Sequence, residues 1–325
     1  MKILFFDILY LIAFGGLAFT WYLFRPLTRH PQPARAVCLN EDDGEFKKLP
    51  LKPRHIFGIG LSYAQHIAET AHEFDPQADP AVFIKANVTL RPGGGAADFP
   101  RSTEIFSAAE SMSIGLGRGL TEKFGDLPPL LDYEAELAYI LLTDISDNQL
   151  ADGTFVPKLG FFIANDLSSR ALQILGEGMH NRLAYWGMSK SFAGFLPTTK
   201  NIWIPDEHRN NAIPCVTLQT RVNGELRQNA TTADMIYTPL QMLRAARKTY
   251  PDLALKKGDI FIMGTPGGIA LATPRWKGRL AKLLRFRRFT KLKFVLKGDH
   301  SRFLKPGDRV VVSGGWLGEV QSTIR

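Results

Sequence analysis

Glu134 and Glu136 stand two residues apart at the head of an apolar run over residues 135–140. On an extended strand, residues i and i+2 point to one face, so this spacing sets two carboxylates side by side. Adjacent carboxylates repel and resist burial, and a hard cation relieves both by taking an oxygen from each. Alone, an E-x-E pair is more often a solvated strand face than a metal site. Asp166 strengthens the metal reading, because the apolar run 159–164 before it would carry it from the core to a strand end. Three carboxylates with no competing His/Cys cluster suit Mg2+ or Mn2+, with Ca2+ as a third candidate. A second pair, His66 and Glu69, has i, i+3 helical spacing and can touch. A carboxylate beside an imidazole raises its basicity and fixes its tautomer, which makes a general base for water. This pattern too is common on plain helix surfaces.

The elements that must position these groups are short. Apolar runs alternating with Gly, Pro, Asn and Asp predict strands over 55–61, 81–85, 136–142, 158–165, 216–222, 259–263 and 309–313. Asn223-Gly224 directly after one of them is a hairpin signal. Helices are fewer, with 62–71 and 238–248 the clearest and Pro239 in the first turn of the latter. The pattern predicts a strand-dominated α+β domain. No G-x-G-x-x-G or Walker sequence argues for a nucleotide fold.

Outside that domain the chain has two unusual stretches. Residues 3–24 are almost wholly apolar, with Asp7 the one charge, and their length matches a bilayer core of ~30 Å. They end in bulky Trp21-Tyr22-Leu23-Phe24 and not in a small-residue cleavage site, so the reading is an uncleaved transmembrane anchor over residues 1–25. Arg25, Arg29 and Arg35 after the run then place the body in the cytoplasm. Pro26, Pro31 and Pro33 make residues 26–52 an extended linker, and the domain occupies 53–325. The net charge of +9 is local: residues 274–302 carry eleven Lys/Arg and one Asp. Within this basic insertion, residues 277–289 have the pattern of an amphipathic helix for an anionic membrane surface, or of a solvated loop. A nucleic-acid partner lacks a supporting motif. The two cysteines, Cys38 and Cys215, sit in no metal or redox spacing and read as unpaired thiols.

Taken in order, the motifs resemble the fumarylacetoacetate hydrolase family. Residues 58–69 look like its G-x-N-Y-x-x-H-x-x-E, residues 83–85 like F-L-K-P, and residues 132–140 like D-Y-E-x-E-L-A. Residues 160–173 are similar to G-Y-x-x-x-N-D-x-S-A-R-D-x-Q, 189–192 to A-K-S/G-F, and 222–236 to V-N-G-E-x-R-Q-x-x-x-T-x-D-M-I. Residues 255–268 and 303–308 are similar to L-x-x-G-D-x-I-x-T-G-T-P-x-G and L-K-P-G-D. The resemblance implies a mixed β-sheet roll, usually a homodimer, acting as a metal-dependent hydrolase on C–C bonds of small 2-oxo or 1,3-dicarbonyl acids. Isomerase, hydratase and decarboxylase relatives share the fold, and a non-catalytic binding protein is the remaining alternative. It implies a divalent metal on Glu134, Glu136 and Asp166, and water activation by His66 and Glu69. It implies charge stabilisation by Lys190, substrate contacts from Arg170, Gln173 and Thr265, and close backbone approach at Gly264 and Gly267. On this view, Glu136→Ala or Asp166→Ala abolishes turnover without unfolding the chain. Departures occur at Ser62 for Asn, Ala171 for Asp, and in 196–199, where Leu-Pro-Thr-Thr replaces a Cys-Pro-x-Gly-Pro stretch.

Overall fold

The computed structural model describes residues 18–21, 31–50, 52–69, 75, 78–271 and 287–325. Two sheets dominate them. The larger has nine strands and runs in the order Gly44–Lys48, Asn201–Pro205, Leu159–Asn165, Ala135–Leu141, Ile260–Ile262, Ile56–Gly60, Ala81–Lys85. Leu196–Thr198 branches from Leu159–Asn165 and carries Leu90–Pro92. The smaller sheet has five strands in the order Glu225–Thr231, Thr217–Val222, Arg309–Gly314, Glu319–Ile324, Gly95–Ala97. The sheets pack closely. Any side chain on Gly314 would collide with Ile163, and Trp203 meets Trp316 edge-on, with ring centroids 5.0 Å apart.

Ala135–Leu141 and Leu159–Asn165 are buried along their whole length. Strands covered on both faces read as continuous apolar runs, which is how both appear in the sequence. Their antiparallel register pairs Ala135 with Asn165 and Leu141 with Leu159. Aromatic rings then lock three neighbouring strands together. Tyr139 stacks on Phe261 at 5.0 Å, and Phe261 on Phe57 at 4.7 Å. Asn223 and Gly224 both take positive φ (51° and 87°), as a two-residue hairpin turn requires. Thr238 caps Pro239–Thr249 by accepting from Gln241 N at 3.2 Å, and Gln241 reciprocates to Thr238 N at 2.8 Å.

Three expectations are corrected. First, the stretch expected as a linker holds two strands. Val37–Leu39 pairs in parallel with Ala212–Pro214, and Gly44–Lys48 joins the large sheet beside Asn201–Pro205. The sequence Gly-Glu-Phe-Lys-Lys lacks apolar alternation, so its pairing comes from Asn201–Pro205, a partner distant along the chain. Second, Cys38 and Cys215 are not free thiols but a disulfide, with Cα atoms 5.0 Å apart, brought together by that parallel pairing. Third, the membrane-anchored, cytoplasmic placement is overturned: among the described residues no helix is long and apolar enough to cross a membrane. Of the expected anchor only residues 18–21 are described, as one helical turn, and the rest lies outside the described residues. Residues 274–286 of the basic insertion lie outside the described residues, and with them most of the expected amphipathic helix over 277–289; the described part contains the helix Arg288–Leu296. Leu292 of that helix is buried and Phe289 meets Phe124 edge-on at 6.1 Å, so part of its apolar face serves the body.

Candidate metal centre

The antiparallel pairing of Ala135 with Asn165 puts Glu134 and Asp166 opposite each other just beyond the two strands. Two bonds fix them there: Asp166 N donates to Glu134 O at 2.9 Å, and Glu134 N donates to Asn165 Oδ1 at 3.1 Å. Glu136 follows two residues on, on the same face. One carboxylate oxygen from each of Glu134, Glu136 and Asp166 lies within 4.8 Å of the others, and all three residues are buried.

Three cations surround them. Lys190 Nζ donates to Glu134 Oε2, to Asp166 Oδ2 at 2.7 Å and to Ser168 Oγ at 2.7 Å. Lys85 Nζ donates to Asp166 Oδ1 and to Phe195 O at 2.7 Å. The Arg170 guanidinium donates to Glu134 Oε1 at 2.5 Å, Asp132 Oδ2 at 2.8 Å and Gln173 Oε1 at 2.6 Å. With Asp132 included, four acidic side chains face three basic ones here.

The carboxylates respond unequally. Burial pushes Glu134 up, but Lys190 and Arg170 outweigh it and hold its carboxyl down at about 2. Among the described residues Glu136 has no ion-pair partner of its own. Burial, then repulsion from Asp166 and Glu134, raises it well above the usual carboxylate range, against the opposing pull of Lys190 and the Gly264 amide. Burial also lowers Lys85 despite Asp166. A buried all-oxygen donor set, in which one carboxylate is held off ionisation by its two acidic neighbours, is what a hard divalent cation would relieve, so Glu134, Glu136 and Asp166 fit one.

A single loop after strand Ile260–Ile262 supplies amides to three acidic side chains. Gly264 N donates to Glu136 Oε2 at 2.6 Å, Gly268 N to Glu69 Oε2 at 2.8 Å, and Ala270 N to Asp132 Oδ1 at 2.8 Å. Gly264 sits at φ 90°, and a Cβ there would run into Ser62 Oγ and Ile59 O, so glycine is required. Thr265 Oγ1 donates to Ala135 O at 3.2 Å and accepts from Gln228 Nε2 at 2.9 Å. Gly267 lies against Gln65 and Glu69, and Gln65 Nε2 donates to Glu69 Oε1 at 3.3 Å.

The sequence-derived residues thus fall in one neighbourhood, with differences of role. Arg170, expected at the substrate, is engaged by Asp132, Glu134 and Gln173. Sequence reasoning missed Lys85, Asp132, Ser168 and Gln228. The signal for Lys85 was a charge closing the apolar strand Ala81–Lys85. Lys85→Met keeps the bulk and leaves Asp166 Oδ1 without its cation. Loss of such an outer partner lowers metal affinity by roughly 10–100-fold. Titration with Mn2+ followed by electron paramagnetic resonance reads this directly, and unchanged affinity would show that Lys85 does not orient Asp166.

Comparisons with known proteins bear on the family of the chain. The family described as "Fumarylacetoacetate (FAA) hydrolase C-terminal" matches residues 55–325. The oxaloacetate tautomerase YisK of Bacillus subtilis is 29% identical over 77% of this chain and 66% of its own length. The mitochondrial oxaloacetate tautomerase fahd2 of Xenopus laevis is 32% identical over 67% of this chain and 57% of its own. An Escherichia coli bifunctional isomerase/decarboxylase of 4-hydroxyphenylacetate degradation is 29% identical over 70% and 44%. The chain therefore spans only about half to two thirds of these relatives. Among solved structures, the fumarylpyruvate hydrolase of Pseudomonas aeruginosa in complex with Mn2+ and pyruvate shares the fold, with TM-score 0.54 and 18% identity over 92% of this chain and 99% of that one. With a family match over most of its length and the strand-rich α/β fold of its relatives, this chain belongs to the fumarylacetoacetate hydrolase family of enzymes.

Proposed function

We propose that this chain is a Mg2+- or Mn2+-dependent hydrolase that splits a carbon–carbon bond in a small acylpyruvate-type 2-oxo acid. The observation that carries the reading is the convergence of Glu134, Glu136 and Asp166 on one buried point beside Lys190. A divalent cation held there supplies Lewis acidity to the oxygens of a 2-oxo acid. His66 takes a proton from the attacking water, with Glu69, anchored on Gly268 N, orienting the base. Water adds to the acyl carbon, and the bond to the pyruvyl carbon breaks with its electron pair on the pyruvyl side. The proton on His66 then goes to that carbon. The products are a carboxylic acid and pyruvate. Lys190 offsets the negative charge that develops, in a site too dry to screen it. Gln173 and Thr265 contact substrate oxygens, while Gly264 and Gly267 let backbone come close. Arg170 holds Glu134 and Gln173 in place. Pairing into a homodimer belongs to the same proposal, and light scattering on the purified chain tests it.

A second reading is favoured by the names of the relatives above. The same enolate chemistry without water attack gives keto–enol tautomerisation, isomerisation or decarboxylation of a 2-oxo acid such as oxaloacetate. Product analysis by nuclear magnetic resonance separates the two. With Mn2+ present, fumarylpyruvate or acetylpyruvate is expected to yield pyruvate and the matching acid. A chelator is expected to lower the rate at least ~100-fold, with recovery on adding Mn2+. Cleavage indifferent to the chelator defeats the metal reading. Turnover of oxaloacetate without any acylpyruvate cleavage selects the second.

A further inference from the structure

We infer that Cys38 and Cys215 are oxidised to a disulfide in the working protein, and that its body therefore matures in an oxidising compartment. These are the only two cysteines in the chain, and 177 residues separate them. Bonds that involve no sulfur bring them together. Val37, Cys38 and Leu39 pair in register with Ala212, Ile213 and Pro214. Ala34 N donates to Met235 O at 2.8 Å, Val37 N to Asn211 O at 2.9 Å, and Asn211 Nδ2 to Ala34 O at 3.0 Å. The pair is thus set for bonding by its surroundings, at a Cα separation of 5.0 Å that a disulfide requires. A shared metal ion is a poor alternative. Among the described residues the one cluster of three or more metal-ligating side chains is Glu134, Glu136 and Asp166.

Cys38 is exposed and Cys215 half-buried. A thiol–disulfide oxidoreductase can reach them, and so can glutathione. Exposed disulfides are the ones that a reducing cytosol opens, whereas oxidising compartments keep them closed. The chemistry balances with a protein disulfide as oxidant. One cysteine thiolate attacks the donor's disulfide and forms a mixed disulfide. The second thiolate then displaces the donor, which leaves as a dithiol having taken up the two electrons and two protons. The product covalently holds the strands Val37–Leu39 and Gly44–Lys48 on the body, independently of what the metal centre does.

The test uses the full chain expressed in a bacterial host and in the same host lacking its extracytoplasmic thiol oxidase. Cells are quenched in acid and free thiols are tagged with a maleimide polymer that shifts gel mobility. The expected result is no tagged thiol in the parent host, two tagged thiols in the oxidase-deficient host, and two in the parent sample after reduction. Two tagged thiols in both hosts would overturn the disulfide. A closed bond in both would overturn the compartment. As an independent readout, reduction or Cys38→Ser is expected to speed proteolysis within residues 36–50 at least tenfold in the purified protein. An unchanged rate would overturn the role as a latch.

Discussion

Asp166→Ala is expected to melt well below the parent chain as well as to lose its metal. Asp166 accepts from Lys85 on one oxygen and from Lys190 on the other, and all three groups are buried. Deleting the carboxylate leaves two ammonium groups short of an anion inside the protein. Breaking a buried pair in this way costs about 3–5 kcal/mol. Lys190 retains Glu134 and Ser168, and Lys85 retains Phe195 O, so the lower end of that range applies. For a chain of this size the melting point should fall by roughly 4–5 °C. Calorimetry with and without Mn2+ checks it. An unchanged melting point in the metal-free protein would mean that the ion pairs on Asp166 do not form. The expectation that removing Asp166 leaves the fold intact is therefore revised, because that side chain is both a candidate ligand and the counter-charge for two lysines.

Glu136→Gln should behave in the opposite way. Glu136 makes one hydrogen bond to the loop, from Gly264 N, and a glutamine oxygen can accept it equally well. Its charge is opposed by burial and by Asp166 and Glu134. Because these already favour the neutral form of Glu136 in the metal-free protein, the neutral amide should leave metal-free stability within about 1 kcal/mol of the parent, the worth of one net interaction. Affinity for Mn2+ should nonetheless fall by more than ~100-fold, since loss of an outer partner alone costs ~10–100-fold. Turnover should fall with it. The pair of outcomes matters more than either one. A protein that melts at the parent temperature, binds Mn2+ weakly and turns over slowly assigns Glu136 to the metal. One that binds Mn2+ as tightly as the parent removes Glu136 from the site and leaves only two carboxylates.

How much of this was visible in the sequence depended on where each partner lay. Ala81–Lys85 is recovered residue for residue, and Ala135–Leu141 and Leu159–Asn165 within one residue, because strands buried on both faces are unbroken apolar runs. Glu134, Glu136 and Asp166 were legible for the same reason: each sits at the end of such a run, where a charge is conspicuous. Arg170–Gly176 escaped notice because six of its seven residues are buried, so no amphipathic stripe marks it. Leu116–Phe124 was hidden by Gly117 and Gly119, although Gly117 is needed where the helix approaches Phe106 O. The role of Arg170 was misjudged because its partners Asp132 and Glu134 are far away along the chain. The disulfide was invisible for the same reason: spacing says nothing about two cysteines joined by a three-residue parallel ladder.

The first strand of the large sheet, Gly44–Lys48, lies upstream of the family match, which starts at residue 55. Anyone trimming the protein to the matched region would therefore strip Asn201–Pro205 of its outer neighbour. Its amide and carbonyl groups would then face solvent as a bare edge, a template on which another copy could stack. Poor solubility of such a fragment would reflect the missing strand and would say nothing against the stability of the intact enzyme.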